Sequence, residues 1–226
     1  MGTNAAKVLE ASLLTLMVLS SPGWIYAQAV LEGKVTLPAA EAVAIPPARY
    51  AGQVGEIAPA DPPVAVVYLE GQFPAAVTSA PPGTNYLWQR GMQFRPAVLP
   101  VRVGTAVSFP NGDDFYHNVF SYSKPKRFDL GRYRKDDKAP VQVFDKPGLV
   151  KLYCEIHQHM RGYILVLDTP FFTRTTNDWY RLDNLPKGKF VLKAWVSDKR
   201  VYEQPVELAA GQKLRIDFDD KSARSP

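Results

Sequence analysis

Cysteine is almost absent from this chain: among 226 residues there is one, Cys154. No internal disulfide can form, so the fold must rest on packing and hydrogen bonds. Histidine is nearly as scarce. The chain has three, His117, His157 and His159. Charge of one sign is lacking as well. The formal net charge is only +5 and the basic residues are scattered, densest from Lys124 to Arg134. With no supporting motif, nucleic acid is excluded as a partner, and the basic stretch reads as a solvated loop. No apolar run is long enough to span a bilayer comfortably: Ala11 to Leu19 is too short and is broken by Ser12 and Thr15. No Ser-His-Asp set, phosphate loop or pair of catalytic carboxylates stands out, and Gly188-Lys189 lacks the context of a phosphate loop.

Proline, by contrast, is plentiful. Twenty prolines disfavour long helices and favour strands joined by turns. Lys7, the apolar run and Ala27-Gln28-Ala29 together form the pattern of a secretory leader over residues 1–29. Its removal predicts a periplasmic or secreted chain with no stable membrane insertion. Lys7 and Glu10 leave together, so the mature chain keeps +5. A lone thiol in an oxidising compartment is a liability, so something should protect Cys154 or use it.

Short valine-rich runs predict an all-β chain. Val30 to Leu37 and Val64 to Leu69 are early strands, separated by Ala- and Pro-rich stretches at 38–63 and 71–83. Strands follow at Ala97 to Val103, Thr105 to Phe109, Asn118 to Tyr122, Val141 to Phe144, Leu149 to Tyr153 and Tyr163 to Leu167. Asp145-Lys146-Pro147-Gly148 is a turn whose Pro and Gly supply the required backbone angles. After Asp168 come Trp179 to Leu182, Phe190 to Val196, Tyr202 to Leu208 and Lys213 to Phe218. The polar end, 219–226, reads as frayed.

The scarce donors cluster. Cys154-Glu155-Ile156-His157-Gln158-His159-Met160 compresses thiolate, imidazole and thioether into one loop between two strands, and His117 opens an earlier strand. One thiolate, two neutral imidazoles and a weak axial thioether select copper and permit Cu(I)/Cu(II) cycling. Zinc could occupy the same donors without exchanging electrons. In an extended loop His159 points away from His157, as a surface neighbour. Asp113 and Asp114, before His117, read as solvated.

Cys154-x-x-His157-x-x-Met160-Arg161-Gly162, followed by an apolar strand, resembles the copper loop of amicyanin-type cupredoxins. Phe94-x-Pro96, Val101-x-Val103-Gly104-Thr105-x-Val107-x-Phe109-x-Asn111 and His117-Asn118-Val119 are similar to the front half of the plastocyanin–amicyanin fold. The resemblance implies a Greek-key β-sandwich over 86–168 with one type 1 copper at its end. It makes His117, Cys154, His157 and Met160 the metal ligands, and the His157 edge the port for electrons. Asn118 would tie the two loops together and bring a backbone N–H near the Cys154 sulfur. The implied function is single-electron transfer between redox partner proteins, with copper binding or delivery as the alternative. An enzyme is not expected: the copper enzymes of this lineage need a second metal site, which three histidines cannot supply.

The flanks resemble something else. Gly33-x-Val35-x-Leu37, Val64 to Leu69 and Tyr180-Arg181-Leu182-x-Asn184-Leu185-Pro186-x-Gly188-Lys189-Phe190 look like parts of a carboxypeptidase-regulatory-like, transthyretin-like β-sandwich. Asn177-Asp178-Trp179 departs from that family's acidic-Gly step. The resemblance implies a small sandwich split into 30–85 and 169–226, with the copper domain inserted between its second and third strands.

Overall fold

A computed structural model describes residues 28–39, 58–73, 83–219 and a short strand at 223–224. The expected leader therefore lies almost wholly outside the described residues, as do parts of both Pro-rich stretches. Ala29, the expected last leader residue, is fully buried at the start of the first strand.

The described residues are all-β, without a helix. Two strands come early, β1 (Ala29–Lys34) and β2 (Ala65–Glu70). The middle of the chain supplies β3 (Thr84–Tyr86), β4 (Trp88–Gln89), β5 (Phe94–Arg95), β6 (Val98–Arg102), β7 (Thr105–Ser108), β8 (His117–Ser121), β9 (Phe128–Tyr133), β10 (Val141–Phe144), β11 (Gly148–Tyr153) and β12 (Arg161–Leu167). The rest are β13 (Phe172–Thr175), β14 (Trp179–Leu185), β15 (Gly188–Ser197), β16 (Arg200–Leu208), β17 (Lys213–Arg215) and β18 (Ala223–Arg224).

Four larger sheets result, in the orders β10-β7-β3, β6-β12-β11-β8-β9, β13-β2-β15-β16-β18 and β14-β1-β17, with β4-β5 as a separate hairpin. The first two enclose an apolar core that includes Val107, Phe109, Phe144, Leu152 and Ile164. The last two enclose another, with Leu31, Leu69, Tyr180, Leu192 and Tyr202. The chain's early strands are shared out among its late ones: β1 lies between β14 and β17, and β2 between β13 and β15.

Alternation along single strands joins the two sandwiches back to back. Side chains switch faces at every residue of a strand. In β12, Ile164 and Val166 enter the core of the middle region, while Leu165 and Leu167 enter a third cluster behind it. In β2, Ala65, Val67 and Leu69 enter the flanking core, while Val66 joins that third cluster with Val64 and Trp195. Strands covered on both faces have no solvent side to carry polar residues. That is why Val64 to Leu69 and Tyr163 to Leu167 read as unbroken apolar runs. The junction also has directional contacts. Lys151 pairs with Asp198 at 2.7 Å, Arg174 Nε donates to the Val98 carbonyl at 3.2 Å, and the Tyr163 and Trp195 rings lie 5.6 Å apart.

Three local expectations are corrected. The basic stretch from Lys124 is not a plain loop, because β9 pairs antiparallel with β8 through Asn118↔Arg132 and Phe120↔Asp129. Its charged residues cover an outer edge while Phe128 and Leu130 pack on the core. β13, unmarked in the sequence, pairs with β2. The polar C-terminal segment contributes β18, paired with β16 at Val201 and Tyr202.

Candidate metal centre

His117 starts β8 and Cys154 follows β11, and these strands are neighbours in one sheet. The short loop from Cys154 is closed by the Met160 N–H donating to the His157 carbonyl at 2.8 Å. β12 then leaves at Arg161, and Gly162 leaves room for the Phe94 ring: a Cβ there would lie 3.0 Å from Phe94 Cβ. Two strand ends and a tight loop thus converge at one end of the middle sandwich.

The ligand atoms of His117, Cys154 and His157 all lie within 4.8 Å of one another. His117 Nδ1 is 3.0 Å from His157 Nδ1, and Cys154 Sγ is 3.8 Å from His157 Nδ1. Imidazole nitrogens bind zinc at about 2.0–2.1 Å and thiolates at about 2.3 Å, so two donors sharing such an ion lie within about 4.4 Å of each other. Both separations satisfy that bound, and with all three donors within 4.8 Å of one another the His117–Cys154 pair needs to close by about 0.4 Å at most to share one ion. The three clustered side chains are withdrawn from water: His117 is 0% exposed, Cys154 3% and His157 6%, and Met160, in the same loop, is 1% exposed. His157 is the less enclosed of the two imidazoles. The partly buried Phe115 ring meets those of both His117 and His157 edge to face, at 5.0 and 5.7 Å.

Electrostatics favour the thiolate. Burial pushes the Cys154 thiol up, but hydrogen bonds to His117 and His157 and to the Asn118 and His157 backbone more than offset it, lowering the pKa to about 6. Burial pushes the His117 imidazole down, yet Asp113 and Cys154 hold it above its ordinary value. The thiol is thus already inclined to the charged form that binds soft metals.

Asn118 connects the two loops. Its Oδ1 accepts from the Glu155 N–H at 3.4 Å, while its Nδ2 donates to Asp129 Oδ1 at 2.7 Å and to the Gly131 carbonyl at 3.1 Å. Below it, Tyr133 donates to the Phe109 carbonyl at 2.7 Å and accepts from Gln89 Nε2 at 2.5 Å. Apart from Gln89 Oε1, which has no hydrogen-bond partner, these buried polar groups are paired, which keeps the strand ends in register.

His117, Cys154 and His157 thus come together in space. Met160 is buried in the same apolar cluster as Cys154. His159 stands apart: its ring centroid is 6.2 Å from that of His157, and it is half-buried, with its Nε2 enclosed and without a hydrogen-bond partner. Burial, then the neighbouring His157, holds its pKa below the ordinary value. The two aspartates diverge. Asp114 has an 88% exposed side chain and pairs with Lys135, whereas the Asp113 side chain is 10% exposed and meets His117 Nε2 at 2.8 Å. The expectation that Asp113 is solvated fails because a distant hairpin, invisible in the local sequence, folds over it.

No family model matches the chain, and no curated protein sequence matches it. Among solved structures it is similar to a copper-containing nitrite reductase of Thermus scotoductus SA-01, at 28% identity and a TM-score of 0.36, over 38% of this chain and 23% of that one. It is similar to a purple cupredoxin of Nitrosopumilus maritimus, at 24% identity and a TM-score of 0.33, over 37% of this chain and 99% of that one. A reduced Cu(I) amicyanin variant at pH 4 is 21% identical, with a TM-score of 0.35, over 45% of this chain and 98% of that one.

Proposed function

We propose that this protein is a single-electron carrier that holds one copper ion through His117, Cys154, His157 and Met160. The reading rests on one observation: two imidazole nitrogens and the only thiol of the chain converge in a buried pocket at one end of a β-sandwich. Copper bound there supplies a one-electron Cu(II)/Cu(I) couple. The chain's own residues do the rest. Cys154 would present a thiolate already favoured in the metal-free protein, His117 would hold the buried side, and Met160 would offer a soft thioether sulfur as a further weak donor. Asn118 and the β8–β11 pairing keep the donors in place, so little rearrangement accompanies a change in charge. Phe115 packs against both imidazole rings. His157, with the more open ring, serves as the port through which a redox partner protein exchanges electrons.

The setting we propose is periplasmic or secreted, following the leader pattern. We read the flanking strands as one split module around the copper domain, supported by the sheets that β1 and β2 share with β13 to β17. Its likeness to carboxypeptidase-regulatory-like sandwiches rests on the sequence resemblance. A carrier retains its metal, whereas a copper-delivery protein yields it to a chelator.

Reconstitution with Cu(II), followed by optical and electron-spin spectra, tests the proposal. The expected result is an intense thiolate-to-copper band that reductant bleaches reversibly. Cys154→Ser abolishes the band, and His157→Ala alters the electron-spin spectrum. A wild-type protein that takes up no copper, or that keeps its band in Cys154→Ser, refutes the assignment.

A further inference from the structure

Asp113 is tied down from three directions. Its Oδ2 lies 2.8 Å from His117 Nε2. The N–H of Gly91 donates to Oδ1 at 2.8 Å and the N–H of Met92 donates to Oδ2 at 3.0 Å. Its own N–H donates to Asn111 Oδ1 at 2.9 Å, and Asn111 Nδ2 in turn donates to the Phe115 and Tyr133 carbonyls. A carboxylate held by two successive backbone amides needs no side-chain cation to stay charged.

The amides come from the tip of the β4–β5 hairpin. Gly91 and Met92 have φ of 61° and 55°, the left-handed pair that a two-residue hairpin turn requires. Such a φ is uncommon for methionine, and uncommon backbone of this kind concentrates at functional sites. The hairpin is braced in turn by the segment leading into β2. The Ala58 N–H donates to the Gly91 carbonyl at 3.2 Å. Asp61 accepts from Arg95 and from the Ala97 N–H, each at 2.7 Å. A Cβ on Gly91 would lie 2.5 Å from Ala58 Cβ, so the turn and its brace fit only without a side chain there.

We infer that Asp113 is the positioning residue of the His117 donor. It holds an imidazole proton on Nε2, presents Nδ1 toward Cys154 and His157, and sets a fixed negative charge one ring behind the metal site. The metal half of this inference rests on the proposed copper site; the Nε2-proton half stands on the metal-free protein. Hydrogen-bonding partners that orient a metal-binding imidazole typically change metal affinity about 10–100-fold when removed. A nearby negative charge stabilises the more highly charged oxidised ion over the reduced one, so its loss moves the reduction potential upward.

The test uses the full chain in two states. In the metal-free wild type, nitrogen NMR of His117 is expected to show the proton on Nε2, coupled to a slowly exchanging hydrogen. In the copper-loaded protein, Asp113→Asn is expected to raise the reduction potential and weaken Cu(II) binding about 10–100-fold. Asp114→Asn, the exposed neighbour, leaves both unchanged. A wild-type His117 without a proton on Nε2 overturns the inference even if the variant fails to fold. So does an Asp113→Asn protein whose potential and Cu(II) affinity match those of Asp114→Asn. A wild type that binds no copper but shows the Nε2 proton refutes the copper site and leaves the positioning role of Asp113 standing.

Discussion

The two sandwiches bury different things. The flanking one, built from β1, β2 and β13 to β18, encloses an apolar core, and the buried polar residues of its strands and their approaches are Thr169 and Thr175. Its charges lie in networks outside: Glu32 with Arg181 and Lys213, and Lys193 with Glu70 and Glu203. The middle sandwich buries Gln89, Asn111, His117, Asn118, Ser121 and His157 among its apolar side chains. A buried polar group costs free energy unless it is paired. The middle sandwich accepts that cost where it positions donors, and the flanking one shows what the same architecture looks like without a site. The two share one surface: Val64, Val66, Val98, Leu165, Leu167 and Trp195 form a single cluster. That junction covers the back of the sheet whose far end carries His117 and Cys154.

The largest effect should come from breaking that junction. Trp195, 4% exposed, truncated to alanine should destabilise the chain by about 3–5 kcal/mol, read as a lower denaturant midpoint. If the halves cohere, near-ultraviolet signals from both should move together. A loss under about 1 kcal/mol would mean that the sandwiches touch without supporting each other.

The next effect separates the halves by pH. The pKa of Cys154 in the metal-free fold is about 6, against an ordinary 9.0. A depressed acid stabilises the fold fully above its unfolded pKa and loses that contribution as pH falls through its folded pKa. This group alone should therefore add stability as pH rises from about 6 to 9. His117, whose pKa is raised, acts oppositely: its contribution is complete below 6.5 and lost as pH rises through its folded value. Thiolate absorbance in the metal-free protein should have its midpoint near pH 6, and Cys154→Ser should remove it. A midpoint near 9 would show that the imidazoles do not support the thiolate.

The smallest effect belongs to the flanking surface. Arg181→Ala breaks ion pairs to Glu32 at 2.9 Å and to Asp183 at 2.8 Å. Arg181 is about half exposed, so its loss should barely move the denaturant midpoint, and the effect should shrink further with salt. Copper uptake should not change. A large shift would make this network a structural element rather than a solvated face.

Much of the middle region was legible from residue order. Alternating or unbroken apolar runs mark β6, β7, β8, β10, β11 and β12, and the Cys154 loop stands out because its donor types are scarce everywhere else. β9 was hidden because Asp129, Gly131 and Arg132 interrupt it and Arg127 and Arg134 flank it, although Phe128 and Leu130 already alternate toward the core. β13 was hidden because Phe172-Thr173-Arg174-Thr175 carries little apolar signal and is held chiefly by pairing with β2. Asp113 was misread because nothing near it in sequence announces the Gly91-Met92 amides.

By itself, the amino-acid sequence determined the all-β character, through proline content and period-two patterning, and named the donor atoms, through their scarcity and spacing. These are local properties, written in residues that are neighbours along the chain. Only the tertiary structure decided which strands pair, since the partners of β1 are β14 and β17, near the other end of the chain. It also decided that Asp113 faces His117 while Asp114 faces water. That choice depends on backbone amides supplied from a separate hairpin, and hydrogen bonds between segments so far apart leave no period or motif to read.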